Sequence, residues 1–224
     1  MPGVRAVFML DFIGPARVST IVRAHLTLLE FMRLFVTTPV LLAVALVGGC
    51  ATRSGAPGHD PSLRRELLAM CEVDQKVRQG FGSRMSAETV AEIQAVDARH
   101  TSRLRAIVAE HGWPGRSLVG DDGSHAAWLL VQHADGAFMA QCLPLMERAV
   151  AAGQAFGKDY VYLLDRVRMQ QGKPQVYGTQ FTLAADGQLV LYPIEDAEHV
   201  DERRRAIGLP PMAEQEKVMR EVYR

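Results

Sequence analysis

The chain has 224 residues, of which 22% are charged, and its 25 basic side chains balance 25 acidic ones. Proteins that bind nucleic acid carry a basic patch or stripe, so this zero net charge speaks against nucleic acid as a partner. We therefore expect function to depend on a local site and not on an overall electrostatic field.

Residues 32–49 have the composition of a lipoprotein signal peptide. Arg33 supplies a positive charge, and an apolar stretch of the usual length, about 7–15 residues, follows it. This stretch is shorter than the roughly 20 apolar residues of a transmembrane helix. It ends in Leu46-Val47-Gly48-Gly49-Cys50, which resembles the lipobox of bacterial lipoproteins. We predict cleavage before Cys50 and lipidation of its thiol; an uncleaved anchor with an incidental cysteine is the alternative.

The predicted anchor sets the location and the domain organisation. Lipidation would hold the protein on the extracytoplasmic side of the bacterial cell envelope, with the membrane as a partner, and Ala51 favours the outer membrane if the host has one. Met32 begins an ordinary signal peptide, so we interpret residues 1–31 as a mis-called N-terminal extension. Residues 50–59, rich in small and polar residues, are predicted to be a flexible tether. Residues 60–224 then form a single domain.

Apolar residues at helical spacing predict that this domain is mainly α-helical. Asp60 as N-cap and Pro61 at the first helical position begin the first helix, and Gly80 ends it. Ser86 caps a second helix, which stops before Gly112. Further helices are predicted over Ser124–Asp135, Gln141–Ala152, Phe156–Gln170, Ala197–Ile207 and Ala213–Tyr223.

One segment has a different pattern. Between about residues 175 and 194, two runs of apolar and aromatic residues flank Asp186-Gly187, a strong signal for a β-hairpin turn. Two strands alone are marginal in water, so the hairpin must lie against the helices. The predicted fold is a mainly α, compact helical domain with one small antiparallel β-hairpin.

Six short motifs, in this order, carry a resemblance to a known family. They are Gly112-Trp113-Pro114, the run from Ala127 to Asp135, Asp165-Arg166-Val167, Tyr177-Gly178-Thr179-Gln180, Pro193-Ile194-Glu195-Asp196, and Val200-Asp201-Glu202-Arg203-Arg204 with Gly208-Leu209. Together they resemble the family called domain of unknown function 6624, over about Leu63 to Met212. The family has no established activity, so the resemblance implies one domain and leaves the function open.

Several polar residues fall on the apolar stripes of the predicted helices. Asp74 continues the stripe of the first helix, Asp97 and His100 interrupt that of the second, and His133 lies on that of the third. Because a buried charge must be paired or coordinated, these residues are expected to meet in one polar pocket. The opposing interpretation is local pairing, such as Asp74 with Arg78.

The same reasoning leaves further local alternatives open. Asp97 would then pair with Thr101 or Arg105, and His133 would bond to a carbonyl at the end of its helix. Arg166 lies off the apolar stripe of its helix, which favours a solvated face and a salt bridge with the neighbouring Asp165.

The pocket interpretation assigns candidate roles. His133 would act as a general acid or base, with Asp135 or Asp97 to orient its ring. Arg166, Tyr177 and Gln180 are candidates for holding a substrate or ligand. Close packing over the strand is the competing reading for the neighbouring Gly178.

Cofactor chemistry is not indicated. The chain lacks a phosphate loop, a nucleophile elbow and the usual zinc motifs, and the spacing of Asp74, Asp97, His100 and His133 is not diagnostic of a metal site. We predict no metal and no cofactor. Cys71 and Cys142 are consistent either with a disulfide or with free core thiols.

Two functions remain. The first is a lipid-anchored extracytoplasmic binding or interaction module for an unknown protein or small-molecule ligand. The second is a hydrolase-like enzyme with a His/Asp polar pocket. A cleft open at His133 would favour the enzyme, and closure of the polar groups into pairs would favour the module.

Overall fold

The computed structural model describes residues 59–79, 86–184 and 188–222. The predicted signal peptide, the lipidation site Cys50, residues 1–31, nearly all of the tether and the turn at Asp186-Gly187 lie outside these residues. The helices are α1 (Pro61–Val77), α2 (Ala87–His111), α3 (Arg116–Gln132), α4 (Gly136–Ala151), α5 (Gly157–Gln170), a 3-10 helix (Ala197–His199), α6 (Val200–Ala206) and α7 (Met212–Val222), and the strands are β1 (Phe181–Leu183) and β2 (Leu189–Leu191).

The first two helices begin where the capping residues predict. The Asp60 carboxylate accepts hydrogen bonds from the backbone N–H groups of Ser62 and Leu63, at 2.9 and 3.0 Å. The hydroxyl of Ser86 accepts one from Thr89 at 3.2 Å. Each bond satisfies a donor that the first helical turn leaves without an intrahelical partner.

The predicted start of α3 at Ser124 was wrong. The helix begins at Arg116 and contains a break at Gly120, whose φ of 76° is left-handed and non-helical. Glycine tolerates this conformation because it has no Cβ. The break hides the first turn from a search for helical periodicity.

Helix α3 is the hub of the helical core. It contacts α1, α2, α4 and α5, and every residue from Ala126 to Gln132 is buried. From Ala126 to Val131 the helix is apolar on every side, as expected for a helical segment in such a central position. The core around it includes Leu67, Leu104, Phe138, Met139 and Leu163.

The hairpin exists but is shorter than predicted. Strands β1 and β2 are antiparallel, with Phe181 opposite Leu191. The residues before β1 form a loop instead of a strand, and Gln175 makes an isolated parallel bridge with Ile194. The predicted class, a mainly α domain with one small hairpin, is confirmed.

Two further observations concern the helices. Within the described ranges, no helix is both long enough and apolar enough to cross a membrane. Cys71 on α1 and Cys142 on α4 are free thiols, so no disulfide joins them.

Candidate functional site

Four charged or ionisable side chains from three helices form a connected cluster, the His133 network. His133 follows the last residue of α3, and its Nδ1 lies 2.9 Å and 3.0 Å from the two oxygens of Asp74. Arg78 donates to Asp74 Oδ1 at 2.7 Å through Nη1, and to Asp97 Oδ1 at 2.5 Å through Nη2. Arg78 therefore joins the two carboxylates, one on α1 and one on α2.

Helical geometry explains this convergence. Asp74 and Arg78 are four residues apart at the end of α1, so their side chains lie on one face of the chain. The predicted meeting of Asp74, Asp97 and His133 is confirmed as geometry, and the Asp74–Arg78 pair exists as well. The predicted alternatives for Asp97 were wrong, because its partner is Arg78 and not Thr101 or Arg105.

Burial and charge act in opposite directions on the two carboxylates. Burial alone would raise the pKa of Asp74, but the hydrogen bond and charge of His133, with the charge of Arg78, outweigh it and lower that pKa below its ordinary value. Burial dominates at Asp97 and raises its pKa although Arg78 opposes the rise. The cluster thus stabilises the charge of Asp74 more than that of Asp97.

His100 borders the network but does not join it. Its Nδ1 is buried and has no hydrogen-bond partner among the described residues. Burial lowers the pKa of this imidazole, and the nearby charge of Asp74 opposes the shift. His100 is therefore held in an environment that disfavours its charged form.

The structure corrects the role predicted for Asp135. Its carboxylate caps α4 by accepting the N–H of Phe138 at 2.9 Å, and it pairs with Arg105 at 2.8 Å on the surface. The residue that holds the His133 ring is Asp74. Asp135 turns away because the chain starts a new helix at Gly136 and needs an N-cap there.

The structure also corrects the placement of Arg166. Its side chain is buried instead of solvated, and its Nη1 donates to the backbone oxygen of Gln132 at 2.9 Å. The predicted salt bridge to Asp165 was wrong, because Asp165 points to the loop that precedes β1. Adjacent residues on a helix do not face each other.

Asp165 organises the loop of residues 175–180. The carboxylate is fully buried and accepts N–H groups from Val176, Tyr177 and Thr179, at 2.7 to 3.2 Å. It also accepts the Thr179 hydroxyl at 3.0 Å. Burial raises the pKa of Asp165, and the hydrogen bonds from the loop oppose the rise.

Arginines of α6 bind the other side of the same loop. Arg203 Nε donates to the backbone oxygen of Val176 at 3.0 Å, and Arg204 Nη1 donates to that of Tyr177 at 2.5 Å. Arg204 is fully buried, and burial lowers its pKa while the charges of neighbouring acidic groups oppose the shift. The peptide groups of this loop therefore lie between a buried anion and a buried cation.

The predicted ligand-holding residues Tyr177 and Gln180 belong to this loop. Tyr177 contributes its peptide groups to Asp165 and Arg204, and the buried Gln180 amide donates to the Thr179 hydroxyl at 3.0 Å. The side-chain amide of Gln175 pairs with both the N–H and the C=O of Gln180, at 2.7 and 2.9 Å. Through these contacts Tyr177 and Gln180 both have a structural role in the loop.

A second row of polar and aromatic contacts joins α3 to α5. His125 Nδ1 lies 2.8 Å from Asp159, the rings of Trp128 and Tyr162 meet edge to face at 6.1 Å, and Arg166 bonds to Gln132. The residues are spaced three and four apart on each helix, so they line one face of each. We call these three contacts the α3–α5 seam.

Sequence reasoning missed most of the seam and the loop contacts. The spacing of His125 and Gln132 around Trp128 was a readable signal, since it repeats the period of a helix. Asp165 and Arg204 gave no such signal because their partners are backbone groups.

Metal binding finds no support in the geometry. Across the described ranges, no three His, Cys, Asp or Glu side chains are placed to hold an ion together. The guanidinium of Arg78 lies between Asp74 and Asp97, so the two carboxylates bind this cation and not a shared ion.

These features define a mainly helical domain with a buried polar centre. The family of unknown function DUF6624 matches residues 61–224, and the chain belongs to that family. No curated protein and no solved structure matches the chain.

Proposed function

We propose that the protein is a lipid-anchored, extracytoplasmic binding module for a small-molecule or protein ligand. The observation that carries this proposal is the closure of the His133 network. The side chains of His133, Asp74 and Arg78 are only 4%, 1% and 6% exposed, and each is bonded to another member. A general acid or base must reach a proton of its substrate, and the buried His133, whose ring is bonded to Asp74, does not offer that access.

The anchoring part of the proposal is supported by the sequence before the domain. A short apolar run, two small residues and Cys50 match the requirements of export and lipidation. The protein would face the extracytoplasmic side of the envelope, in the outer membrane where the host has one. The membrane is then its first partner, through the lipid.

Mass spectrometry of the protein purified from host membranes tests the anchor and the ligand together. We expect a mature N-terminus at Cys50 carrying lipid, and native spectra with added mass from a bound ligand or partner. A Cys50→Ser variant should remain unprocessed. An intact N-terminus or an unmodified Cys50 in the wild type would reject lipid anchoring.

A hydrolase-like enzyme is the second candidate, and for it we propose His125 instead of His133 as the acid or base. The His125 side chain is 42% exposed, whereas its partner Asp159 is only 10% exposed. A buried carboxylate that orients an accessible imidazole is an arrangement used in acid–base catalysis. Burial raises the pKa of Asp159, and the hydrogen bond from His125 opposes the rise.

A panel of ester, amide and phosphoester substrates separates the two candidates. The binding-module proposal expects no turnover by the wild type. Turnover that disappears in His125→Gln but persists in His133→Gln would support the enzyme instead. Equal loss in both variants, with normal folding, would return the chemistry to His133 and contradict the closed-network argument.

A further inference from the structure

Within the described ranges, two buried polar side chains of the α3–α5 seam, Gln132 and Trp128, have no hydrogen-bond partner for their polar atoms. Gln132 is fully buried, and neither its side-chain oxygen nor its nitrogen has a hydrogen-bond partner in the described part of the chain. Trp128 is 4% exposed, and its indole Nε1 also has no partner there. A buried polar atom without a partner costs free energy, and native structures contain few of them.

The two side chains belong to one place. They are four residues apart on α3, so both lie on the face that contacts α5. Trp128 contacts the ring of Tyr162, and the backbone of Gln132 accepts the bond from Arg166. A single partner placed between the amide of Gln132 and the indole N–H of Trp128 would satisfy both side chains.

The chemistry of these groups selects the partner. An amide side chain presents one acceptor oxygen and one donor nitrogen, and an indole presents a donor alone. An anion would satisfy the donors but place its lone pairs against the oxygen of Gln132. A carbonyl with an N–H on the same edge satisfies all of them, because its oxygen accepts from the indole and the nitrogen of Gln132 while its N–H bonds to the oxygen of Gln132.

The chain already contains this recognition once. The fully buried Gln175 takes the N–H and the C=O of one residue, Gln180, with its two amide atoms at 2.7 and 2.9 Å. Gln132 is equally buried but lacks the corresponding partner among the described residues. Gln175 shows how a buried glutamine of this protein forms hydrogen bonds with both atoms of its side-chain amide.

We propose that the α3–α5 seam binds the amide group of a small molecule, a primary carboxamide or a lactam, through Gln132 and Trp128. This inference rests on the proposed binding function and specifies its ligand class. The aromatic side chains of Trp128 and Tyr162 would pack against the apolar part of the ligand.

A titration of the full-length protein, purified in detergent with ¹⁵N-labelled tryptophan, tests the site. The chain has two tryptophans, so the spectrum contains the indole signals of Trp128 and, as an internal control, Trp113. With 2-pyrrolidinone as the probe, we expect a saturable shift of the Trp128 signal alone. N-methyl-2-pyrrolidinone, which lacks the N–H, and acetate should shift neither signal.

Matched variants of the two buried glutamines provide a second readout. Gln132→Met should abolish the response of Trp128 and raise Tm, because it removes an amide without a partner. Gln175→Met should lower Tm, because it leaves the peptide groups of Gln180 without theirs. A Gln132→Met variant that unfolds, or that loses as much Tm as Gln175→Met, would show that the amide of Gln132 is already satisfied and would overturn the proposal.

The remaining outcomes are decisive too. No shift, equal shifts of both indoles, or the same shift with the N-methyl compound would reject the amide site. The binding-module proposal fails on different results, namely turnover in the substrate panel or an unlipidated Cys50. The failure of the amide site and the failure of the binding-module proposal can therefore be distinguished.

Discussion

Asp74 is the residue on which the charge balance of the His133 network depends. It is 1% exposed and contacts both His133 and Arg78, whereas Asp97 is 24% exposed and contacts Arg78. Removing one partner of a buried ion pair leaves the other charge desolvated and uncompensated. The two carboxylates therefore contribute unequally to stability, although both form an ion pair with the guanidinium of Arg78.

We predict that Asp74→Ala lowers the free energy of unfolding by about 3–5 kcal/mol, the range for breaking a buried pair. Asp97→Ala should cost less because water reaches its carboxylate. Glu66→Gln, which breaks an exposed pair with Arg103, should cost less than about 1 kcal/mol. Urea denaturation of the three variants measures the order, and an Asp74→Ala loss no larger than that of Glu66→Gln would contradict it.

A second prediction at the residue scale concerns His100 and the dependence of stability on pH. Burial lowers its pKa in the folded state, so the folded protein binds this proton less well than the unfolded chain. The stability that comes from a neutral His100 is present above the unfolded pKa of about 6.5 and is lost as the pH falls through the folded pKa. We expect wild type to lose stability relative to His100→Gln as the pH falls below about 6.5.

His199 is the matched control, because its shift has the opposite sign. A hydrogen bond and the charge of Asp196 raise the pKa of this exposed imidazole. Its small contribution is present below about 6.5 and is lost as the pH rises through the folded pKa. Urea denaturation from pH 5 to 8 should give His100→Gln and His199→Gln opposite slopes relative to wild type; parallel slopes would refute the assignment.

At the scale of elements, the loop of residues 175–180 determines how the hairpin joins the helices. Asp165 on α5 binds its N–H groups, and arginines of α6 bind its carbonyls. Gly178 is at its centre with φ +69°, and a Cβ there would meet Met212 and come within 2.9 Å of Ile194. The backbone conformation therefore favours glycine, and a Cβ would in addition displace the side-chain ends of Met212 and Ile194.

We predict that Gly178→Ala destabilises the protein by more than the roughly 1–2 kcal/mol of a left-handed non-glycine residue. Gly153→Ala is the control, since Gly153 has φ +68° but nothing within 4 Å of its Cβ position. The difference between the two variants isolates the crowding by Met212 and Ile194. Equal losses of unfolding free energy for the two variants in urea would mean that the side chains of Met212 and Ile194 move aside at no cost.

At the scale of the whole molecule, the sequence predicts those elements and side chains whose positions repeat with the period of a helix or a strand. Asp74 and His133 were found because they stand on apolar stripes, and helices that share a core bring such stripes together. The caps Asp60 and Ser86 were found because capping uses few residue types. The helical class with one hairpin follows from the same local signals.

The other features of the fold and of the site depend on contacts that leave no periodic pattern in the sequence. Asp165 and Arg204 are predicted poorly because they bind backbone groups, which every residue carries. Asp135 follows His133 closely in the chain, and proximity in sequence suggested an orienting role that the geometry gives to Asp74, 59 residues away. The start of α3 was missed because one left-handed glycine interrupts its pattern.

The attachment of the loop of residues 175–180 to both α5 and α6 has a consequence for the autonomy of the C-terminal region. A protease cut between β2 and α6 that released the chain beyond Val200 would remove the guanidinium groups that the loop carbonyls bind, while the buried carboxylate of Asp165 stayed behind. The remaining fragment would keep the buried carboxylate of Asp165 but would lack the positive charges of Arg203 and Arg204. We therefore expect the last helices to fold cooperatively with the rest of the domain, and their removal to loosen residues far upstream in the chain.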